Sequence, residues 1–249
     1  MHSPYRAPIP VETLLLAYRS GIFPMADRRD DLDIFWVEPR DRAVLPLDGL
    51  HVSKSMKKVL RRDSFAVTVN RCFEDVVRAC SEPRPGHPET WISERIVQSY
   101  CQLHRAGHAH SIECWTGIAG QEQLVGGLYG VSFDRVFCGE SMFSRTDNAS
   151  KVALCWLVAL MRQAGFALLD CQFMTDHLAS MGAREITQSH YMRQVSAARG
   201  DPRSSLAAAW RHFSAKDQAG AGAAPATPAE AADPPSPGKR IAQSLTQTS

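Results

Sequence analysis

Three strand-like segments follow one another between residues 109 and 144, and they constrain the fold more than any other feature of the sequence. They read AHSIECW, QLVGGLYGVSF and RVFCGESMF, and the connections between them are short and polar. Consecutive strands joined in this way pair antiparallel. The segment therefore predicts an antiparallel meander of three strands.

Helices and further strands surround the predicted meander. After Asn148 the run ASKVALCWLVALMRQAG is apolar on more than one side, as in a deeply buried helix, and the apolar strand FALLDCQF follows it. FAVTV at residues 65–69 is another strand, whereas GIFPMA, IFWVEP and AVLPL suit edge strands or irregular structure because Pro and Asp interrupt them. We predict an α/β or α+β fold with a mixed, mainly antiparallel sheet covered by helices.

The C-terminal part of the chain differs in composition from the rest. Between residues 215 and 238, Ala, Pro and Gly occupy 17 of 24 positions, and no aromatic or branched aliphatic residue occurs. Such a segment cannot bury enough apolar surface to offset the entropy lost on ordering. We predict a disordered tail at residues 214–249.

Overall composition excludes several classes of protein. The chain has 249 residues, is 44% hydrophobic and carries a formal charge of +2, which rules out collagen, coiled coil and full disorder. No apolar run approaches the roughly 20 residues of a membrane span, and the N-terminus lacks a secretory pattern. The seven cysteines form no CxxC pair. We expect a cytoplasmic protein with reduced thiols and no membrane partner.

Motifs for common cofactors and metals are missing from the sequence. It contains neither GxGxxG nor GxxxxGK[ST], and neither HExxH nor GxSxG. His104, His108 and His110 form a cluster, but they straddle a predicted helix end and a strand start, so their rings would not share a face. We expect no metal and no cofactor.

Polar groups inside apolar strands mark a candidate site. Glu140 interrupts the third strand of the meander, and Asp170 and Gln172 stand at the end of FALLDCQF, where the i, i+2 spacing directs them to one face. A buried acid costs free energy unless it is paired, so Glu140 either forms a local cap or ion pair or belongs to a site. The segment GGLYG at residues 126–130 suggests a cleft where backbone approaches a ligand, with a β-bulge as the alternative.

A basic helix is predicted to begin at Ser53. Lys54, Lys58 and Arg62 share one face at i, i+4 and i+8, and the segment from Lys54 to Arg62 holds five cations and no acid. A solvated face is one interpretation. The absence of the glutamates that usually pair with such cations favours a surface that follows nucleic-acid phosphates, with Phe35, Trp36 and Trp91 available to stack on bases.

These segments resemble a known family. HVSKSMKK, ETWIS, LHRAGHAHSIE, LVGGLYGV, FCGESMFSR, NASKVAL, LLDCQ and DHLASMGA, in this order, are similar to the leucyl/phenylalanyl-tRNA–protein transferases. The match extends from about residue 10 to residue 191. The resemblance implies transfer of Leu, Phe or Met from aminoacyl-tRNA to proteins that begin with Arg or Lys, which marks them for N-degron degradation.

The resemblance also implies a fold and a set of partners. A small N-terminal domain, here residues 1–63 with the basic helix, would precede a GNAT-like acyltransferase domain, here residues 64–213. The enzyme would act as a monomer without metal or acetyl-CoA. An acetyl-CoA-dependent N-acetyltransferase, and a non-catalytic adaptor that binds tRNA or protein N-termini, remain as alternatives.

Site residues follow from the family motifs. The resemblance makes Asp170 and Gln172 the catalytic pair, with Glu140 favouring a cationic acceptor, and it implies that Lys54, Lys58, Arg62 and Trp91 contact tRNA. The pocket for the donor side chain would consist of Leu128, Phe137, Met142, Ser144, Leu154, Leu157 and Leu169. The same seven positions also fit an ordinary hydrophobic core.

Overall fold

The computed structural model describes residues 6–31, 33–83, 89–215 and 235–246. Its helices are α1 (Val11–Arg19), α2 (Lys54–Arg61), α3 (Phe73–Cys80), α4 (Glu94–Arg105), α5 (Ala149–Ala164), α6 (Asp176–Ser180), α7 (Gln188–Ala197), α8 (Leu206–Ser214) and α9 (Pro237–Ser244). Its strands are β1 (Phe23–Met25), β2 (Phe35–Val37), β3 (Asp41–Leu45), β4 (Ala66–Val69), β5 (Ala109–Thr116), β6 (Gln123–Phe133), β7 (Val136–Ser144), β8 (Leu168–Gln172) and β9 (Arg184–Thr187).

The main sheet has seven strands in the order β4-β5-β6-β7-β8-β3-β9, and β1 and β2 form a separate hairpin. Every neighbouring pair in the main sheet is antiparallel except β7 and β8, which are parallel. The predicted mixed, mainly antiparallel sheet and the meander β5-β6-β7 are confirmed. The prediction for AVLPL was wrong, because β3 lies inside the sheet between β8 and β9.

Helices cover both faces of the sheet. Alternating side chains of one strand enter different cores: Leu128 packs with α5 residues, whereas its neighbour Tyr129 packs with residues of α3 and α4. Helices α2, α5, α8 and α9 contribute to the first core, and α1, α3, α4 and α7 to the second. Helix α5 is buried on most of its circumference, as its apolar sequence predicts, and ends at Gly165, whose φ of 81° is left-handed.

The sheet joins the two parts of the chain that the sequence separated at residue 63. Strand β3 comes from the N-terminal part and pairs with β8 and β9 of the C-terminal part. Met56 and Leu60 of α2 also enter the core around α5. None of the described helices is long and apolar enough to cross a membrane.

The predicted disordered tail is partly wrong. Ser214 is the last residue of α8, and residues 235–246 contain α9, whose Ile241 and Ala242 are fully buried against the core around α5. The composition of residues 215–238 hid this helix because its apolar residues come after that segment. Residues 216–234 and 247–249, on which the rest of the prediction falls, lie outside the described residues.

Candidate active site

The candidate active site is a pocket where β7 and β8 separate. The parallel register of these strands runs from Val136 opposite Leu168 to Cys138 opposite Asp170 and ends there. Beyond this point a pocket of about 590 Å³ opens. Apolar side chains from β6, β7, α5 and β8 form most of its wall, and Glu140 and Gln172 supply polar groups.

Glu140 lies at the polar end of the pocket and accepts three hydrogen bonds. The hydroxyl of Tyr18 donates to its Oε1 at 2.7 Å, and the hydroxyl of Tyr100 donates to its Oε2 at 2.9 Å. The side-chain amide of Gln172 donates to Oε1 at 2.9 Å. The two tyrosine hydroxyls are themselves 2.5 Å apart. Residues from α1, α4 and β8 thus fix one carboxyl group on β7.

Burial controls the protonation of Glu140. Loss of solvent raises the pKa of its carboxyl group to about 7, although the hydrogen bonds from Tyr18, Tyr100 and Gln172 act in the opposite direction. Only 9% of the residue is exposed. Glu140 therefore changes its charge close to neutral pH, where a protein N-terminal amine also titrates.

Asp170 does not line the pocket and is fully buried behind it. Its Oδ1 accepts from Arg42 Nε at 2.9 Å, and its Oδ2 accepts from Arg42 Nη2 at 2.6 Å. The Tyr191 hydroxyl also donates to Oδ2 at 3.2 Å. A bidentate guanidinium partner of this kind offsets the cost of burying the carboxylate.

Arg42, the partner of Asp170, is also fixed by several contacts. It lies on β3, has no solvent exposure and donates from Nη1 to the carbonyl oxygen of Gly21 at 2.9 Å. The centres of the Phe23 and Tyr191 rings lie 4.9 and 4.4 Å from its guanidinium carbon. Planar contacts on aromatic rings suit arginine better than lysine.

Gln172 links the buried ion pair to the pocket. Its φ of 62° is left-handed, and its backbone N–H donates to Asp170 Oδ1 at 2.8 Å. The side-chain nitrogen is committed to Glu140, whereas the side-chain oxygen accepts no hydrogen bond from the described residues. An acceptor atom with these neighbours is available to an N–H group of a ligand in the pocket.

The structure brings together most of the positions that were predicted for the donor pocket. Its seven positions divide into six that line the pocket and one that does not: Leu128, Met142, Ser144, Leu154, Leu157 and Leu169 face it, whereas Phe137 is fully buried outside the lining. The Phe137 ring instead approaches Gly130 closely. The family resemblance implied all seven positions alike, because motifs do not show which side chains face a pocket.

The glycines of the GGLYG segment in β6 allow close packing of the neighbouring backbone and side chains. A Cβ atom on Gly126 would lie 2.4 Å from the Cβ atom of Ala149, so the glycine lets α5 approach the sheet. The register of β6 against β7 shifts between Tyr129 and Gly130, which is the bulge that the sequence left open. Leu128 and Tyr129 of the same segment line the pocket, so the cleft expected beside GGLYG is present, while Gly126 and Gly130 lie against protein atoms.

The basic helix α2 lies outside the pocket. Ser53 Oγ accepts from the Met56 backbone N–H at 3.2 Å, which confirms the predicted N-cap, and Lys54, Lys58 and Arg62 are exposed. No ion pair with a described carboxylate involves these three cations. Trp91 lines the pocket instead, so the structure does not bring it together with the three cations of α2.

Comparison with known proteins agrees with the family resemblance of the sequence motifs. The family model for leucyl/phenylalanyl-tRNA protein transferase matches residues 44–196, and the model for the N-terminal domain of the same family matches residues 8–40. The chain belongs to the leucyl/phenylalanyl-tRNA–protein transferase family. Both candidate carboxylates and Gln172 lie inside the longer match.

Several curated relatives bear the name of this transferase family. A protein of Novosphingobium aromaticivorans is 55% identical over 259 residues, covering 97% of each chain. Relatives from Zymomonas mobilis and Rhodospirillum rubrum are both 54% identical and cover 74% and 72% of this chain and 68% and 83% of their own. A solved structure described as L-PGS from Bacillus licheniformis has a TM-score of 0.36 at 13% identity, over 68% of this chain and 55% of its own, which is too low to define the fold.

His104 and His110, two members of the predicted histidine cluster, make structural contacts. His104 Nδ1 bonds with the backbone oxygen of Ala109 at 2.8 Å, and the ring of His110 bridges the side chains of Asn70 and Ser132. Burial lowers the pKa of His110 to about 4, so this imidazole is neutral at pH 7. Among the described residues no group of three potential ligands is arranged for a metal.

Sequence reasoning missed three residues of the candidate site. Arg42, Tyr18 and Tyr100 contact the candidate catalytic groups from sequence distances of 128, 122 and 40 residues. A buried Asp170 demands a cation, and Arg42 begins the apolar run RAVLPL, which was the available signal. Tyr18 and Tyr100 fall on the apolar faces of their helices, where they look like core residues.

Proposed function

We propose that this protein transfers Leu, Phe or Met from aminoacyl-tRNA to the α-amine of proteins that begin with Arg or Lys, and so marks them for N-degron degradation. Family membership supports the reaction class. The assignment of the site rests on the pocket. Its walls are rich in leucine, and it ends at Glu140 and the available amide oxygen of Gln172.

The reaction needs positioning more than chemical activation. The donor is already an ester on the terminal ribose of tRNA, so the amine nitrogen attacks the ester carbonyl carbon, the bond to the ribose oxygen breaks and a proton passes from nitrogen to that oxygen. An α-amine with an ordinary pKa near 7.7–8.0 is partly neutral at physiological pH. Much of the rate enhancement therefore comes from holding the amine nitrogen close to the ester carbonyl carbon in the orientation of attack.

Gln172 is the proposed contact for the attacking amine. Its side-chain oxygen accepts an N–H of the amine, while its nitrogen remains on Glu140. Asp170 acts behind it, because the carboxylate fixes the Gln172 backbone N–H at 2.8 Å and is itself fixed by Arg42. An amide is a weak base, so Gln172 aligns the amine and the departing ribose oxygen takes up the proton.

Glu140 is the proposed source of preference for a cationic acceptor. Its carboxyl group lies next to Gln172 and becomes negative as pH rises through its pKa of about 7. An ammonium or guanidinium group near it stabilises the ionised form by Coulomb attraction, which is strong where water is excluded. Acceptors that begin with Arg or Lys would gain this interaction, and neutral residues would not.

The donor and the tRNA are assigned to separate surfaces. Leu128, Met142, Leu154, Leu157 and Leu169 would enclose the donor side chain, with Ser144 at the exposed end, and Phe137 would support them from behind. Trp91 at the pocket would stack on the terminal adenosine. Exposed Lys54, Lys58 and Arg62 would contact phosphates further along the tRNA.

The separation of β7 and β8 supports a GNAT-like arrangement of the acyltransferase part, in which two parallel strands diverge around the acyl group. Acetyl-CoA-dependent acetylation is the alternative that this arrangement leaves open, and an adaptor without activity is the other. We propose a cytoplasmic monomer that uses no cofactor.

One assay separates the three candidates. The purified protein is incubated with Phe-tRNA and a peptide that begins with Arg, without ATP or coenzyme A, and the peptide mass is measured. A gain of one phenylalanyl group supports the proposal. Acetylation of the peptide in a parallel reaction with acetyl-CoA, without phenylalanyl transfer, would establish the acetyltransferase, and tRNA binding with neither product would establish the adaptor.

A further inference from the structure

Helix α9 docks on the end of the basic helix α2 through a close backbone contact. A Cβ atom on Gly238 would lie only 2.0 Å from the backbone oxygen of Leu60, so this position admits glycine alone at the observed distance. Ile241 and Ala242 are buried beside it, and Arg162 Nη1 donates to the Ser244 carbonyl oxygen at 2.9 Å. The position of α9 against α2 is therefore well defined.

Helix α9 also contacts Asp63, an acid two residues after the end of α2. Asp63 follows Arg62 directly, and its Oδ1 accepts from the Gly238 backbone N–H at 2.6 Å. This N–H belongs to the first turn of α9, where the helix dipole favours a negative charge. The contact reduces the repulsion between Asp63 and an anion bound near α2.

Helix α9 brings basic charge and no acid. Residues 235–246 read PSPGKRIAQSLT, in which Lys239 and Arg240 are the only charged residues. The Arg240 guanidinium donates to the carbonyl oxygen of Ala215 at 2.6 Å and so contributes to docking. Lys239 is exposed, next to the contact between Gly238 and Asp63, and forms no ion pair with a described carboxylate.

A continuous path of elements joins the pocket to α9. Thr175, His177 and Leu178 line the pocket from α6 and its N-cap. At the other end of α6 the Met181 carbonyl oxygen accepts from the His51 backbone N–H at 2.9 Å, three residues before α2 begins. Helix α2 then extends for about 12 Å at 1.5 Å per residue and ends at α9.

We infer that Lys239 and helix α9 form the far end of the RNA-binding surface, where Lys239 contacts a tRNA phosphate beyond those reached by Lys54, Lys58 and Arg62. This inference rests on the proposed function. RNA is the partner that the path favours, because this path of connected elements begins at the pocket assigned to the aminoacyl ester. The matched family models end at residue 196, so α9 adds a contact outside them.

Salt dependence of tRNA binding tests the inference. The dissociation constant of the full-length protein for Phe-tRNA is measured between 50 and 200 mM KCl, for the wild type and the variants Lys239→Gln, Lys58→Gln and Arg105→Gln. Each lost phosphate contact lowers the slope of log Kd against log salt by about 0.7–0.9. Lys239→Gln and Lys58→Gln should each show this change. Arg105, on α4 over the other face of the sheet, is the matched control and should show none.

The outcomes distinguish the inference from the proposed function. A reduced slope for Lys58→Gln with an unchanged slope for Lys239→Gln overturns the inference and leaves the proposed tRNA surface intact. Unchanged slopes for Lys58→Gln and Lys239→Gln overturn the inference and the proposed tRNA surface together. The variant Gly238→Val, which cannot dock at the observed distance, provides a second test: it should lose the Lys239 contribution to the slope, and an unchanged slope in a folded Gly238→Val protein contradicts the inference.

Discussion

The guanidinium group of Arg42 and the carboxylate of Asp170 form a fully buried bidentate ion pair, with Nε to Oδ1 at 2.9 Å and Nη2 to Oδ2 at 2.6 Å. The pair joins β3 to β8 at the point where Gln172 leaves the sheet. Asp170 does not line the pocket, but its carboxylate fixes the backbone N–H of Gln172, which does.

Replacing Arg42 by Met should destabilise the protein strongly. The substitution leaves Asp170 buried without its counter-charge, and loss of one partner of such a pair costs about 3–5 kcal/mol. Urea unfolding of the wild type and Arg42→Met gives the difference. Arg19→Met is the control, because the exposed pair between Arg19 and Asp134 contributes about 1 kcal/mol or less. A loss below about 1 kcal/mol for Arg42→Met would contradict the structural role given to the pair.

Stability should fall as pH rises through the range in which Glu140 ionises. Burial raises its pKa from 4.5 to about 7, so the folded protein holds a proton that the unfolded chain has released, and folding loses free energy between these values. The loss is at most about 3 kcal/mol above pH 7. The unfolding free energy is compared at pH 5 and pH 8 for the wild type and Glu140→Gln. The variant should lack this component, and an identical pH dependence of both proteins would show that Glu140 does not titrate there.

The contact between Gly126 and Ala149 can be tested by exchanging the two residue types. Gly126→Ala places a methyl group 2.4 Å from the Ala149 Cβ atom and should cost about 1–3 kcal/mol of stability. Adding Ala149→Gly removes the clash and should recover part of the loss, although glycine in a helix costs up to about 1 kcal/mol. Additive losses in thermal or urea unfolding would mean that these two residues do not limit the approach of α5 to the sheet.

Enlarging the donor pocket should change the preference among amino acids. Leu157→Ala removes part of the wall, and the lost contacts should lower kcat/KM for Leu-tRNA by about 10–200-fold. The kcat/KM for Phe-tRNA should fall less, because the larger phenylalanyl side chain fills the space that Leu157→Ala opens. Steady-state transfer to a peptide that begins with Arg measures both donors. Equal losses for Leu and Phe would place the donor side chain elsewhere.

The sequence predicted the elements whose pattern is local. The meander, the buried helix α5 and the cap at Ser53 each follow from a continuous stretch, and all are present. Strand β3 was misjudged because Pro46 and the charged residues around it are typical of an edge, whereas the buried Arg42 is satisfied by Asp170 in the folded sheet. A charge that is paired only in three dimensions looks like a surface charge in sequence.

The site was predicted in part for the same reason. Glu140, Asp170 and Gln172 stood out because each is a polar residue in an apolar strand. Their partners Tyr18 and Arg42 come from sequence positions more than 120 residues away, and no local pattern joins them. Helix α9 was missed because its buried residues Ile241 and Ala242 follow a segment rich in Ala, Pro and Gly and pack against distant elements.

Single-turnover transfer at saturating Phe-tRNA and peptide tests the central claim, that Asp170 positions Gln172 to align the amine. Two variants are compared with the wild type: Asp170→Ala, and Gln172→Asn, whose side chain tolerates the left-handed backbone but is shorter. Thermal unfolding confirms that each variant is folded, and tRNA affinity is measured in parallel. We predict that both lose at least about 100-fold in rate with little change in affinity. A folded Asp170→Ala protein with the wild-type rate would contradict the claim.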